Sequence, residues 1–362
     1  MAQVTILHSF GDGTVSNDGA YPLGGLIQAP DGDFYGVTGS LASADAHVQG
    51  AVFQMTPGAS VTVINVLSKA SFATEPLLYD NGKLIGLSYN TYDKQNGNGN
   101  LFALTESPKG TWSKRIWYKF DNATGGPFGA SGSLILGTNG HLYGVTVAGG
   151  SKNGGTAYTV NPKTHAFSVI HNFSSPAPTF SPPDTTLLLA TDGDFYGGTF
   201  ASVNAAGQIF KMTPNREVST FYTFATNGVG LHGPLIEGSD GNFYGTAGGF
   251  VFQLTPDATL TVLHTFGQGQ DGSIPVGTVA QGLNGNLYGL CSIGGTADFG
   301  TIYEVSTDGS MYTVLHNFGD GSIQNDGQYP QGRLLLGADK NFYGVTESGG
   351  SAGKGTIFKV SP

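Results

Sequence analysis

Asp240-Gly241-Asn242-Phe243-Tyr244-Gly245-Thr246 is one of seven copies of a short motif in a chain of 362 residues. The other copies run over 31–38, 81–88, 139–146, 192–199, 284–292 and 339–346. In each, an Asp or Asn, nearly always followed by Gly, turns the chain. An aromatic or aliphatic pair and a Gly then follow in an extended, strand-like run. From Tyr35 the equivalent positions are Ile85, Tyr143, Tyr196, Tyr244, Tyr288 and Tyr343, at intervals of 50, 58, 53, 48, 44 and 55 residues. A period of this length built only from strand-like pieces predicts a β-propeller, one four-stranded sheet per repeat.

The clearest repeat reads as strand a over Pro234–Gly238, strand b over Asn242–Thr246, strand c over Phe250–Thr255 and strand d over Thr259–Phe266. The chain opens on a strand d, Val4–Phe10, with no a, b or c before it. It closes on a strand c, Gly355–Ser361, with no d after it. The expected fold is therefore an all-β, seven-bladed propeller over residues 1–362, whose N-terminal strand (3–10) completes the C-terminal blade (330–361). Such a closure removes two open strand edges.

Composition narrows the function classes. Glycine accounts for 59 residues, but at fixed repeat positions among aromatics, which argues for order rather than a flexible linker. A net charge of −10 without a basic run argues against a nucleic-acid partner. No apolar stretch is long enough to span a membrane. The single cysteine, Cys291, excludes an intrachain disulfide and occupies a position that is Thr or Ser in other repeats, so it reads as a small buried side chain. Only 11% of residues are charged. The surface must then be polar through Asn, Thr, Ser and Gln, as in many secreted proteins.

The recurring Asp-Gly-x-Phe-Tyr-Gly-Val-Thr, Gly-Gly-x-x-x-x-Gly-Thr-Ile-Phe and Val-Leu-His-x-Phe are nearly whole over 341–358 and 313–318. In these segments the chain resembles the bacterial GloVer (Gloeo/Verruco) tandem repeat of choice-of-anchor type propellers, over nearly its whole length. The resemblance implies an exported or surface-anchored protein, hence an extracellular or periplasmic setting. It brings no catalytic motif. Met1-Ala2 leads straight into a strand and Pro362 ends a blade, so a leader and an anchor are expected to be missing from this sequence.

In a propeller the d-to-a and b-to-c connections share one face, around the mouth of the axial channel. Here that set is long and irregular, whereas blade 5 has only Ala247-Gly248-Gly249 between b and c. Loss of symmetry in one loop set predicts one off-axis site. His8, His171, His264 and His316 recur two residues before a Phe on strand d, which reads as scaffold, each imidazole satisfying a neighbouring backbone group. The loops Phe10–Pro22 and Phe318–Pro330 repeat an Asp-rich pattern. Asp12, Asp18, Asp320 and Asp326 there have the chemistry of Ca²⁺ ligands, but Asp-Gly is also ordinary turn chemistry. No cofactor is expected, and Ca²⁺ is the one ion to test.

The inner strands are mostly small or apolar, and against them Tyr21, Glu75, His232, Tyr329 and Arg333 stand out. Tyr89, Tyr92, Asp93 and Lys94 on the blade 2 loop are placed to overhang the mouth. One reading makes Tyr21 and Tyr329 wedges packing beneath their loops and pairs Arg333 with a nearby Asp; the other is a polar, aromatic pocket, which suits a sugar. For β-elimination from a uronate, Arg333 would neutralise the carboxylate, while His232, Tyr329 and Tyr21 supply acid and base; Glu75, Tyr89, Tyr92 and Lys94 would bind substrate. A glycoside hydrolase needs two carboxylates about 5–10 Å apart. Only Glu75 is well placed, with Asp93 or Glu347 as partners, so a polysaccharide lyase is the preferred enzyme class. The alternative reading is a non-catalytic lectin-like or protein-interaction module. A carbohydrate partner and a monomeric state are expected in either case.

Overall fold

The computed structural model describes residues 3–39, 50–67, 71–73, 76–90, 99–120, 128–174, 183, 185–199, 201, 205–226, 228–268 and 270–362. Among these, seven antiparallel sheets stand in a ring, and no helix occurs. The fold is a seven-bladed β-propeller. Blade 5 has strands a–d at Ile236–Glu237, Phe243–Ala247, Phe250–Leu254 and Leu260–Thr265, hydrogen-bonded in that order. Strand a of blade 5 is shorter than the sequence suggests. Blade 2 carries an additional short strand, Ser71–Phe72, beside Lys83–Asn90.

Closure occurs as expected. Gln3–Ser9 lies outermost in the sheet with Thr356–Ser361, Phe342–Gly349 and Gly327–Leu336. Gln3 faces Ser361 and Ser9 faces Thr356 across an antiparallel ladder.

Strands b and c are covered on both faces by neighbouring blades, so every residue of Phe243–Ala247 is buried. Strand d faces solvent on one side, and Leu260–Thr265 is half exposed. The Gly after each strand b Tyr or Ile has a steric cause. In every blade it pairs across the ladder with a strand c aromatic, such as Gly245 with Phe252 or Gly344 with Phe358. A Cβ at that Gly would collide with the ring.

Strand d departs from simple alternation at one place in all seven blades. The register slips at Leu7, Ile64, Trp117, Ile170, Phe221, Leu263 and Leu315. Each is a β-bulge directly before the recurring His, Tyr or Asn. A bulge re-aims the next side chain. Here it turns the imidazole toward the d-to-a loop, where an aspartate meets it: His8 Nε2 lies 3.0 Å from Asp18, His264 2.9 Å from Asp271 and His316 3.0 Å from Asp326. The same carboxylates accept the backbone N–H of Gly11, Gly267 and Gly319. The recurring histidines are scaffold, but their partner is a carboxylate and not the backbone group expected from sequence. The loop of the fourth, His171, lies outside the described residues; burial and nearby Lys152 push its pKa down.

Replacing His316 by Ala removes one buried donor from Asp326 while Gly319 N–H remains. The expected loss is about 1–3 kcal/mol, read from urea denaturation. A variant that unfolds at the wild-type midpoint shows that the clamp is idle.

Adjacent blades are also stapled near the axis. Gln28 accepts the N–H of Ala338, Gln281 that of Ser239, and Glu237 that of Thr191. Each joins strand a of one blade to the a–b turn of the blade before it.

Candidate functional site

Strand a builds the channel wall, and its geometry is set by a second irregularity. In blades 3, 6 and 7 the register against strand b jumps between Ser131 and Ile135, Val276 and Ala280, and Gln331 and Leu335. Strand a advances four residues while strand b advances two, so strand a bulges out of the ladder by two residues. The excursion starts at Gly132, Gly277 or Gly332, with φ of +67°, +58° and +67°. It lets neighbouring blades touch through backbone. A Cβ at Gly233 would lie 2.5 Å from the Gly277 carbonyl carbon, and one at Gly332 2.7 Å from Gly25 N. A Cβ at Gly277 would overlap the Gly332 carbonyl. These glycines form a collar around the neck of the channel.

Inside the collar is a cavity of about 1210 Å³ lined by strand a of every blade. On one side of the collar the wall is aliphatic: Ile27, Leu78, Ile135, Leu188, Ile236 and Leu335. Immediately after each collar glycine comes a residue of this bulge: Ser133 in blade 3, Thr278 in blade 6 and Arg333 in blade 7. Arg333 therefore stands on a bulge in the channel wall. Its stem passes Gly25, where an added Cβ would be 3.3 Å from Arg333 Cγ. Among the described residues its guanidinium forms no ion pair and no side-chain hydrogen bond. Loss of water around it pushes its pKa below the ordinary arginine value.

His232 lines the same cavity and is exposed to it. Its backbone N–H donates to the Thr246 carbonyl, and Nδ1 lies 2.8 Å from the Pro275 carbonyl oxygen of blade 6. A carbonyl can only accept, so Nδ1 carries the proton and Nε2 is left as the acceptor of the neutral ring. His232, Thr278 and Arg333 thus lie on consecutive blades, 5, 6 and 7. His232 sits one register step farther toward the mouth than the collar glycine, and Arg333 one step beyond that glycine.

The other sequence candidates are placed differently. Tyr21 and Tyr329 are not among the cavity-lining residues. Both have left-handed backbone, with φ of +56° and +55°. Their N–H groups donate to the Lys354 and Phe299 carbonyls of the preceding blade, and the Tyr329 ring stands edge-on to Phe299 at 5.4 Å. They act as wedges between blades, because the Pro that follows each one packs on the glycine just before strand c of the preceding blade, Gly355 or Gly300. Glu75, Tyr92, Asp93 and Lys94, and the side chain of Tyr89, lie outside the described residues. Glu347 accepts a hydrogen bond from Gln331 at 2.8 Å.

Of the Asp-rich loops, Asp18 and Asp326 are committed to the histidine clamps. Asp12 and Asp320 close their own turns by accepting the N–H of Thr14 and Ser322. Among the described residues no cluster of three or more His, Cys, Asp or Glu is arranged to hold a metal ion. Cys291 is fully buried, and burial pushes its thiol pKa up. The strand b phenols of Tyr196, Tyr244 and Tyr288 are raised to about 12, chiefly by burial and then by their Asp192, Asp240 and Glu304 partners. Tyr196 and Tyr244 donate to the a–b turn, whereas Tyr288 donates to Glu304 on strand c and accepts from Asn284 of its turn.

Reasoning from sequence missed Thr278 and the bulge. A signal was present: Gly-x-Leu or Gly-x-Val stands at 24–26, 132–134, 233–235, 277–279 and 332–334. Its middle residue lines the channel in blades 3, 5, 6 and 7.

The fold and the cavity define a propeller with an asymmetric polar site in an axial channel. The chain belongs to the Gloeobacter/Verrucomicrobia repeat family, whose repeat profile matches residues 72–249 and 247–362. No curated protein matches it by sequence. Among solved structures it is similar to a streptogramin B lyase, with a TM-score of 0.63 and 14% identity over 99% of this chain and 97% of that one. It is similar to virginiamycin B lyase from Staphylococcus aureus, with a TM-score of 0.62 and 14% identity over 100% and 99%. A third similarity is to the extracellular domain of a hybrid two-component system from B. thetaiotaomicron, with a TM-score of 0.63 and 12% identity over 99% of this chain and 39% of that one. At such identities the likeness is one of fold.

Proposed function

We propose that this protein is a carbohydrate-directed propeller acting at one site, the channel entrance bordered by blades 5 to 7, on a ligand that carries a carboxylate. The observation that carries the reading is the guanidinium of Arg333, set on a bulge in the channel without a carboxylate among the described residues. A guanidinium drawn away from water is unfavourable until an anion joins it, and its fork matches a planar carboxylate. Low surface charge and the repeat family support an extracytoplasmic setting.

His232 supports an enzymatic form of the proposal, a polysaccharide lyase. With Nδ1 held by Pro275 O, Nε2 is available to take the C5 proton of a 4-linked uronate. The C5–H electron pair forms the C4–C5 double bond and the C4–O bond breaks. The leaving oxygen takes a proton from the imidazolium, which restores the neutral ring. Arg333 on the carboxylate lowers the barrier by stabilising charge that builds there as the proton leaves. The two residues differ by about two strand residues in height, ~7 Å, a gap that an arginine side chain can span.

The test is a panel of polyuronates, scored for binding and for ultraviolet absorbance of unsaturated product. His232→Ala is expected to abolish product and keep binding; Arg333→Met is expected to weaken binding with an unchanged melting temperature. Binding without product in the wild type would leave the lectin-like reading. A wild type that binds no acidic glycan ends the proposal.

A further inference from the structure

We infer that Thr278 acts with Arg333 as a two-point oxyanion subsite in the neck of the channel, and that this subsite is what recognises the ligand's carboxylate. The inference rests on the proposed acidic ligand but is independent of any catalysis. Thr278 and Arg333 occupy the same bulge position on adjacent blades, each following a left-handed collar glycine, Gly277 and Gly332. Their backbones are neighbours: a Cβ at Gly277 would come within 3.1 Å of Arg333 N. Both residues line the cavity.

Thr278 supplies an observation separate from the arginine. It is 1% exposed, and among the described residues its Oγ1 has no hydrogen-bond partner. Threonines elsewhere near the strand a and b ends are engaged. Thr185 Oγ1 accepts Gly198 N–H, Thr186 Oγ1 accepts Ser133 N–H, and Thr246 Oγ1 donates to Gly277 O. A buried hydroxyl without a partner is unusual and is satisfied when a ligand brings an acceptor. One carboxylate offers two oxygens with about four lone-pair positions. It can accept from the guanidinium and from a hydroxyl together, which a neutral sugar cannot do as strongly.

The experiment titrates the full chain with glucuronate, galacturonate, glucose, acetate and sulfate by isothermal calorimetry. It compares wild type, Thr278→Val and Arg333→Met. Valine keeps the shape of threonine, so Thr278→Val should fold with an unchanged melting temperature and bind uronates about tenfold or more weakly. Arg333→Met should lose measurable binding, and glucose should bind none of the three. If Thr278→Val binds uronate as wild type does, the pairing is overturned. It is equally overturned if no anion binds the wild type, or if sulfate binds as tightly as uronate and Thr278→Val changes neither. Uronate binding that depends on both residues, with polyuronates left uncleaved, supports the subsite and removes only the lyase reading.

Discussion

Removal of residues 1–10 is expected to yield a protein that aggregates or melts far below the intact chain. The deleted strand supplies the outer ladder of blade 7, from Gln3 opposite Ser361 to Ser9 opposite Thr356. It also removes His8 from Asp18, and the Phe10 N–H from the Gly355 carbonyl. Phe10 is fully buried, 5.3 Å from the Phe53 ring, while Val4 and Ile6 pack on the cluster around Phe358. Loss of one buried Phe side chain costs about 3–5 kcal/mol by itself. What remains is an unpaired Thr356-Ile357-Phe358-Lys359-Val360-Ser361 edge, rich in strand-forming residues, which is a template for another chain. Light scattering and thermal melting check the outcome, and a peptide of residues 1–10 added in trans should restore part of the lost stability. A truncated chain that stays monomeric with its melting temperature intact would sink the closure argument.

Gly277→Ala is expected to be among the most damaging single-methyl changes in the molecule, and the cause can be isolated by a control. Gly277 has φ +58° and Gly285 φ +84°, so alanine is strained at both, by about 1–2 kcal/mol. They differ in surroundings. A Cβ at Gly285 meets nothing within 4 Å, whereas one at Gly277 overlaps the Gly332 carbonyl and crowds Arg333 N at 3.1 Å. These are backbone atoms of the next blade, and only a shift of blade 7 against blade 6 can relieve the clash. We expect Gly285→Ala to stay within the conformational cost and Gly277→Ala to exceed about 4 kcal/mol or to fail to fold. Equal midpoints for the two variants in urea would show that the collar does not hold the blades together.

Blade number, strand order and closure were legible in the sequence because they rest on local chemistry repeated seven times. Asp/Asn-Gly turns, extended aromatic-Gly runs and an unpaired strand type at each end need no tertiary information. His232 and Arg333 were legible too, as polar residues in a strand where other repeats carry small ones. The recurring histidines were recognised as scaffold, yet their aspartate partners were not, because the strand d bulge that turns the ring is a pairing event between strands. Tyr21 and Tyr329 looked like mouth residues from their place before strand a. Their left-handed backbone turns them into the blade interface, which is the wedge role that the sequence also offered for them.

The sequence by itself determined a closed, seven-bladed, all-β ring and the polar outliers of its inner strands. Only the tertiary structure decided which of them share the channel, and it added Thr278. A two-residue slip between strands a and b in blades 3, 6 and 7, opened by glycines that adjacent blades press against, places Ser133, Thr278 and Arg333 on the channel wall. That slip is fixed by contacts between blades about 50 residues apart in the chain; the recurring Gly-x-Leu or Gly-x-Val marks where it opens but not which residues it brings together.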